Sequence, residues 1–400
     1  MPTDTPESPV AENDDISALR SKAEQGDASA QAKLGVAYYH GKDVTKDFAE
    51  AVKWFRASAD QGNANAQLML GIAYFGGEGV GKDLAEARKW WRMSATQGND
   101  QAQLMLGMTC PEDENGNTEA VEWFRKAAAQ GNANAQLQLG LAYKRGEGVS
   151  QDLAEAAKWW LKAVAQGNDR AQYNLGHAYA RGEGVPKDST EAAKLFRAAA
   201  DQGDADAQAD LGYMHYVGEG VSKDLAEAAK WFRKAAENGN ARAQCNLGLA
   251  YACGEGVTKD ATEAVKWFRA SAGQGYALAK LEIGYAYYRG NGVKKDFAEA
   301  VKWYREAAEQ GLAGAQQNLG RAYYLGQGVP KDLTEAAKWI RKAAEQGRPE
   351  AQYMLSTVYI DGKGVTKDVA EGKKWRRKAA EQGYTFTRII FQIIRNWFRR

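Results

Sequence analysis

The chain has 400 residues, with 53 Lys+Arg against 51 Asp+Glu, 3 His and a formal net charge of +2. A near-neutral balance argues against a non-specific nucleic-acid binder, which needs a strong positive excess on one surface, while leaving room for a local basic patch. Three Cys cannot form a disulfide framework in this length, and no uninterrupted apolar run approaches the ~18–20 residues that span a bilayer.

Residues 1–14 are polar and acidic, with Pro2, Pro6 and Pro9, and are expected to be disordered. They lack the basic-then-apolar order of a secretory signal, which points to the cytoplasm. Residues 15–29 are expected to form a leading capping helix, from about Ile16 to Gln25. It ends in Lys22-Ala23-Glu24-Gln25-Gly26, the ending of the second helix in the repeat that follows.

From Ala30 the chain is periodic. Gly35, Gly71 and Gly107 are 36 apart, Gly140 follows after 33, and Gly176, Gly212, Gly248, Gly284 and Gly320 resume the spacing of 36, with Ser356 in the next slot. Self-similarity at such a period marks a solenoid or an array. Counting from Ala-Gln as positions 1 and 2, ten copies start at Ala30, Ala66, Ala102, Ala135, Ala171, Ala207, Ala243, Ala279, Ala315 and Ala351. They share the frame A-Q-x-x-L-G-x-A-Y-x-x-G-x-G-V-x-K-D-x-x-E-A-x-K-W-x-R-K-A-A-x-Q-G-x-x-x.

Each copy predicts two helices. Ala, Leu, Ala and Tyr at positions 1, 5, 8 and 9 form an amphipathic stripe. Gly at position 6 lets a neighbouring helix approach, and Gly at positions 12 and 14 ends the first helix. The second helix opens with a capping box, as in Asp47-x-x-Glu50 and Asp83-x-x-Glu86. Its apolar face is expected at positions 22, 25, 29 and 30, with Trp in the large slot at 25. Trp54, Trp90, Trp123, Trp159, Trp231, Trp267, Trp303, Trp339 and Trp375 fill that slot, and Leu195 replaces it once. Lys at 24 and Arg at 27 are expected on the polar side, with the Glu at 21 in reach of the Lys. One such pair cannot bury its own apolar surface, but stacked neighbours can.

The third copy departs from the frame. It runs Leu106-Gly107-Met108-Thr109-Cys110-Pro111 and lacks the G-x-G-V loop, and Pro111 predicts a short first helix. It reads as a tolerated deletion or as a hinge or docking loop. Residues 385–400 also depart. Phe386, Ile389, Ile390, Ile393, Ile394, Trp397 and Phe398 make an apolar helical face, with Arg388, Arg395, Arg399 and Arg400 beside it. This amphipathic basic helix is too short to span a membrane; it reads as a cap, a membrane-surface helix or a partner contact.

The motifs AQ-x-x-LG-x-AY, G-x-GV-x-KD and EA-x-KW-x-RKAA-x-QG resemble the Sel-one-like repeat, a relative of the tetratricopeptide repeat. The stretch Ala243-Gln244-Cys245-Asn246-Leu247-Gly248-Leu249-Ala250-Tyr251 is a clear copy, and the resemblance covers about residues 30–384. It implies an all-α fold, a right-handed α/α superhelical solenoid of ten helix pairs. It implies a scaffold or adaptor that binds a protein or peptide, with no cofactor and no catalysis. Family members act in signalling, in membrane-associated complexes and in bacteria–host contact, so export by a route other than secretion stays open. A membrane-peripheral adaptor using residues 385–400 is an alternative reading.

The resemblance also implies that first helices line a concave groove. Positions 36, 3, 7 and 10, with 11 beside them, form one helical stripe and vary among copies. Tyr39, Phe75, Tyr173, Tyr213, Tyr216, Tyr285, Tyr288, Tyr324 and Tyr353 lie on it, with His177 and with Arg145, Arg181, Arg289 and Arg321. Tyr and Arg combine large contact area with a polar tip and dominate interface hot spots. The stripe is therefore the candidate partner site, either as a binding face or as packing against the neighbouring repeat.

Residues 76–83, Gly-Gly-Glu-Gly-Val-Gly-Lys-Asp, mimic a phosphate-binding loop but put Asp83 where a hydroxyl is needed, between helices rather than after a strand. Cys245 and Cys253 are eight apart on one helix, neither disulfide nor zinc spacing. His215 takes a Tyr slot and reads as structural. A β-lactamase-like hydrolase, linked to cysteine-rich relatives of this repeat, lacks their paired Cys here.

Overall fold

The protein is described by a computed structural model covering residues 16–384. The segment 1–14 expected to be disordered and the amphipathic helix expected at 385–400 lie outside the described residues. All regular elements described are helices, and the described residues fall into two compact units that divide between Ala199 and Ala200.

The first unit begins with α1 (Ile16–Glu24) and continues through α2 (Ala28–His40), α3 (Phe48–Asp60), α4 (Ala64–Gly76), α5 (Leu84–Thr96), α6 (Asp100–Met108), α7 (Glu114–Ala129), α8 (Ala133–Arg145), α9 (Leu153–Val164) and α10 (Asp169–Arg181). It closes with most of α11 (Ser189–Asp201). The second unit contains α12 (Ala205–Val217), α13 (Leu225–Glu237), α14 (Ala241–Cys253), α15 (Ala261–Gly273), α16 (Ala277–Arg289), α17 (Phe297–Glu309), α18 (Ala313–Leu325), α19 (Leu333–Glu345), α20 (Pro349–Asp361) and α21 (Val369–Glu381). In each unit every helix packs on the next, so the pairs form an α/α solenoid.

The helix ends follow the sequence signals. Asp47 accepts the backbone N–H of Glu50 at 3.0 Å, and the corresponding Asp opens the later second helices in the same way. The Glu does not reach back. It turns forward to Lys three residues on, as Glu50 does to Lys53 at 2.6 Å. Each first helix except α6, whose C-cap is Thr109, ends on a left-handed Gly such as Gly254 (φ 80°). The second loop glycine has a different job. A Cβ on Gly256 would overlap the Leu225 carbonyl at the start of α13, in the preceding repeat. A further cap was not foreseen: Asn240 at position 34 accepts the Ala243 N–H at 2.8 Å, and Asn63, Asn99, Asn132 and Asn168 do the same.

The expected apolar face of the second helix needs correcting. The large ring facing the position-6 glycine comes from position 26, not 25. A Cβ on Gly212 would stand 2.7 Å from Phe232 Cδ1, and the same overlap pairs Gly71 with Trp91 and Gly284 with Tyr304. Trp91 and Phe55 at position 26 are fully buried, whereas Trp at position 25 is buried in some repeats, as Trp90 and Trp231 are, and half-buried in others, as Trp54 is. The position-25 side chain packs one repeat back: Trp339 of α19 joins the cluster built on Ala300, Val301 and Tyr304 of α17. The reason is angular. Positions 22, 26, 29 and 30 face the repeat's own first helix and the next, while 25, about 60° round the helix from 22, packs on the preceding pair.

Two polar ladders cross the repeats. Buried Gln67 donates to the Ala59 carbonyl at 3.1 Å and accepts from Gln97 at 2.8 Å. Gln31, Gln136, Gln244 and Gln352 repeat the first bond. This satisfies a carbonyl at the end of each preceding second helix, which would otherwise be buried without a partner. The second ladder corrects another expectation. Arg at position 27 is not merely on the polar side: Arg269 donates to Tyr287 Oη at 2.9 Å, 18 residues on, and Arg125 to Tyr143 at 3.0 Å. Arg20 of α1 makes the same bond to Tyr38, as a second helix would.

The third repeat is closed by other means. Its first helix, α6, has 9 residues rather than the usual 13, as Pro111 predicts. Arg88 donates to Thr109 Oγ1 at 3.1 Å, and Arg92 pairs with Glu119 at 2.7 Å. At the far end, α21 carries exposed Lys373 and Arg376 at positions 23 and 26, and position 26 is a buried ring or Ile in the earlier repeats. That polar face suits a terminal repeat.

Candidate functional site

The stripe residues fall into two groups. In the first unit they are engaged within their own repeat or by the next one. The Tyr173 and His177 rings on α10 meet edge to face with centroids 4.6 Å apart, and His177 lies edge-on to Phe196 at 5.0 Å. Arg181 is exposed but has Glu183 at 3.8 Å, and Arg145 on α8 has Glu147 at 3.5 Å. Tyr39 donates to Glu78 Oε2 at 2.5 Å.

In the second unit Tyr213 and Tyr216 of α12 are the exposed tyrosines of the stripe, at 52% and 38%. The neighbouring Glu255 carboxylate and, to a lesser degree, burial push the Tyr216 hydroxyl upward from its ordinary pKa. Tyr285 and Tyr288 of α16 are half-buried. Their rings lie 5.7 Å from Tyr304 and 5.2 Å from Phe297 of the same repeat. Tyr324 of α18 lies beneath Lys363 at 5.7 Å. Tyr353 of α20 meets Tyr384 edge to face with centroids 5.9 Å apart and has the Arg376 guanidinium 5.3 Å from its ring centre. Position 3 of the stripe is often core: Leu137, Ala209, Cys245 and Leu281 are buried. Burial pushes the Cys245 thiol up to about 12.

Four stripe residues come together. Tyr285, Tyr288 and Arg289 from α16 and Arg321 from α18 surround a recess of about 100 Å³. Tyr304 forms its floor, and burial holds the Tyr304 hydroxyl far above its ordinary pKa. Arg289 lies over the Tyr285 ring at 5.5 Å. Asn318 also lines the recess, and its buried Nδ2 has no hydrogen-bond partner. Reasoning from sequence missed Tyr304 and Asn318, because neither lies on the variable stripe; the exceptional ring at position 26 was the available signal for Tyr304. Among the described residues no group of three His, Cys, Asp or Glu side chains is placed to hold a metal ion, and no helix is long and apolar enough to cross a membrane.

Helix pairs with a fixed frame and one variable stripe define a helical repeat protein. The chain belongs to the Sel1 repeat family, whose model matches ten segments: 28–63, 64–99, 101–132, 133–168, 169–204, 205–240, 241–276, 277–312, 313–347 and 349–384. Among solved structures it is similar to c5321, a protective antigen present in uropathogenic Escherichia coli strains displaying an SLR fold. The two are 36% identical with a TM-score of 0.66, over 93% of this chain and 88% of that one. A Sel1 repeat protein from Oxalobacter formigenes is 34% identical, TM-score 0.61, over 76% of this chain and 90% of that one. The secretory immunoglobulin A-binding protein EsiB of Escherichia coli O6:H1 is 44% identical over 48 residues, 12% of this chain and 10% of EsiB.

Proposed function

We propose that the protein is a non-enzymatic interaction scaffold that holds a peptide or protein segment along the first-helix stripe of its second unit. One observation carries this reading: Tyr285, Tyr288, Arg289 and Arg321, from two successive first helices, line a single recess. Tyr and Arg around a concave site form the composition of a binding hot spot. Exposed Tyr213 and Tyr216 extend the same stripe by sequence position.

The test is affinity capture with the wild-type chain and the Tyr285→Ala/Tyr288→Ala/Tyr324→Ala variant, both shown to be folded by circular dichroism. Loss of a specific captured protein with little change in thermal unfolding is the expected result. A large fall in unfolding temperature with capture retained would make these tyrosines packing residues. Secretory immunoglobulin A is one defined probe that the short likeness to EsiB suggests. The membrane-peripheral alternative rests on residues 385–400 and is tested by liposome binding after their deletion.

A further inference from the structure

The loop after each first helix carries a charge pattern that bears on the recess. Position 13 is acidic in five repeats: Glu78, Glu147, Glu183, Glu219 and Glu255. In the last three it becomes Asn291, Gln327 and Lys363. Where the Glu is present it is used. Glu147 and Glu183 pair with Arg145 and Arg181 two residues before them. Glu78 takes a hydrogen bond from Tyr39, at position 10 of the preceding repeat.

Repeats 8 and 9 keep the donors and lose the acceptor. Tyr288 stands at position 10, as Tyr39 does, and Gln327 lines the recess at the place of Glu78. Arg289 stands at position 11, as Arg145 and Arg181 do, but Asn291 replaces its Glu. Arg321 supplies a cation at position 7, which is uncharged or His in the other nine repeats. Among the described residues neither arginine has a carboxylate within ion-pair reach. The acid acting on Arg289 is Glu282, and burial raises its carboxyl pKa, favouring the neutral form. Asn318 Nδ2 adds a buried donor with no partner, the kind of group a native structure rarely leaves unsatisfied.

We propose that this recess receives a carboxylate side chain of an acidic peptide, taking the place that the chain's own Glu fills in the earlier repeats. Arg289 and Arg321 carry the charge, and Tyr288 and Asn318 supply neutral donors. A guanidinium pair with hydroxyl and amide donors matches a carboxylate's acceptor-only oxygens. The proposal rests on the scaffold reading and names the chemistry of its ligand.

Fluorescently labelled hexaglutamate is titrated against the full chain, against Arg321→Ala, against Gln327→Glu, which restores a carboxylate of the chain's own, and against Arg181→Ala as a control. The expected result is saturable binding to wild type and Arg181→Ala, weakened at least tenfold in Arg321→Ala and Gln327→Glu, with thermal unfolding unchanged. Absent binding, or equal binding by all four chains, overturns the proposal. So does more effective displacement by inorganic phosphate than by glutarate at equal concentration, which would make the site a phosphate site. The two readings fail separately. Capture lost in the triple Tyr variant with no hexaglutamate binding removes the carboxylate assignment alone. Hexaglutamate binding as expected, with identical protein capture by wild type and triple variant, removes the scaffold assignment alone.

Discussion

Repeats 4 and 5 and repeats 8 and 9 are built on one frame and differ in what the frame leaves free. In both regions a ring at position 26 fills the space above a glycine: Trp160 over Gly140, Tyr304 over Gly284. In both, Asp opens the second helix. The loops diverge. Arg145 and Arg181 are matched by Glu two residues on, whereas Arg289 and Arg321 surround a recess with no matching acid. The caps diverge too: Asn132 and Asn168 cap their first helices, but Tyr276, Leu312 and Arg348 make no side-chain cap bond. Residues that hold the repeat together are thus repeated, and residues that are spared from this work are where repeats acquire different surfaces.

The shared frame is tested by the largest effect. Gly176→Val in repeat 5 and Gly284→Val in repeat 8 both force a side chain into the facing ring, Phe196 or Tyr304. Each should cost about 3 kcal/mol or fail to fold, measured by urea unfolding, whereas Gly81→Ala, with open space around it, should change little. Unequal costs at 176 and 284 would show that the two regions do not share one core.

The glutamine ladder gives a smaller, unequal effect. Gln136→Ala strips partners from the Ala128 carbonyl and the Gln166 amide and should cost about 1–3 kcal/mol. In repeat 8 the ladder residue is Lys280, which pairs with half-exposed Glu306 at 2.9 Å. Lys280→Ala should cost less, about 1 kcal/mol or below, because Glu306 regains water. The caps sharpen the contrast further. Asn132→Ala should lose about 1 kcal/mol, while Arg348→Asn should gain up to about that amount by adding the bond that repeat 10 lacks.

The smallest effect at neutral pH concerns position 3. Cys245 ionises near pH 9.0 when unfolded and near 12 when folded, because burial disfavours the thiolate. Its native-state preference for the protonated thiol is fully present below pH 9.0 and lost as pH rises towards 12. Unfolding midpoints should therefore fall in alkali more steeply in the wild type than in Cys245→Ala. Iodoacetamide at neutral pH should label exposed Cys253 and spare Cys245 until the chain unfolds.

Much of this architecture is legible in the sequence because it is periodic. Ten copies act as an internal alignment, so helix starts at Asp47-like caps, ends at Gly254-like residues and the close approach at position 6 stand out as invariants. The short α6 follows from Pro111 alone. The candidate site was half legible. The variable stripe contains Tyr285, Tyr288, Arg289 and Arg321, but spacing could not say that these four meet or that Tyr173 and His177 spend their rings on Phe196.

The sequence by itself determined the helix pairs, their caps and the family, since each depends on contacts within about one repeat length and on residue types with strong local preferences. Tertiary structure decided the rest. A helix turns about 100° per residue, so position 25 or 26 as the inward ring is a matter of how neighbouring helices rotate about their axes, which local pattern does not fix. The same holds for Arg269 meeting Tyr287, for Gln67 linking two repeats and for Arg289 of α16 sharing a recess with Arg321 of α18. Each is a meeting between repeats, and only the packing of one pair on the next brings its partners within reach.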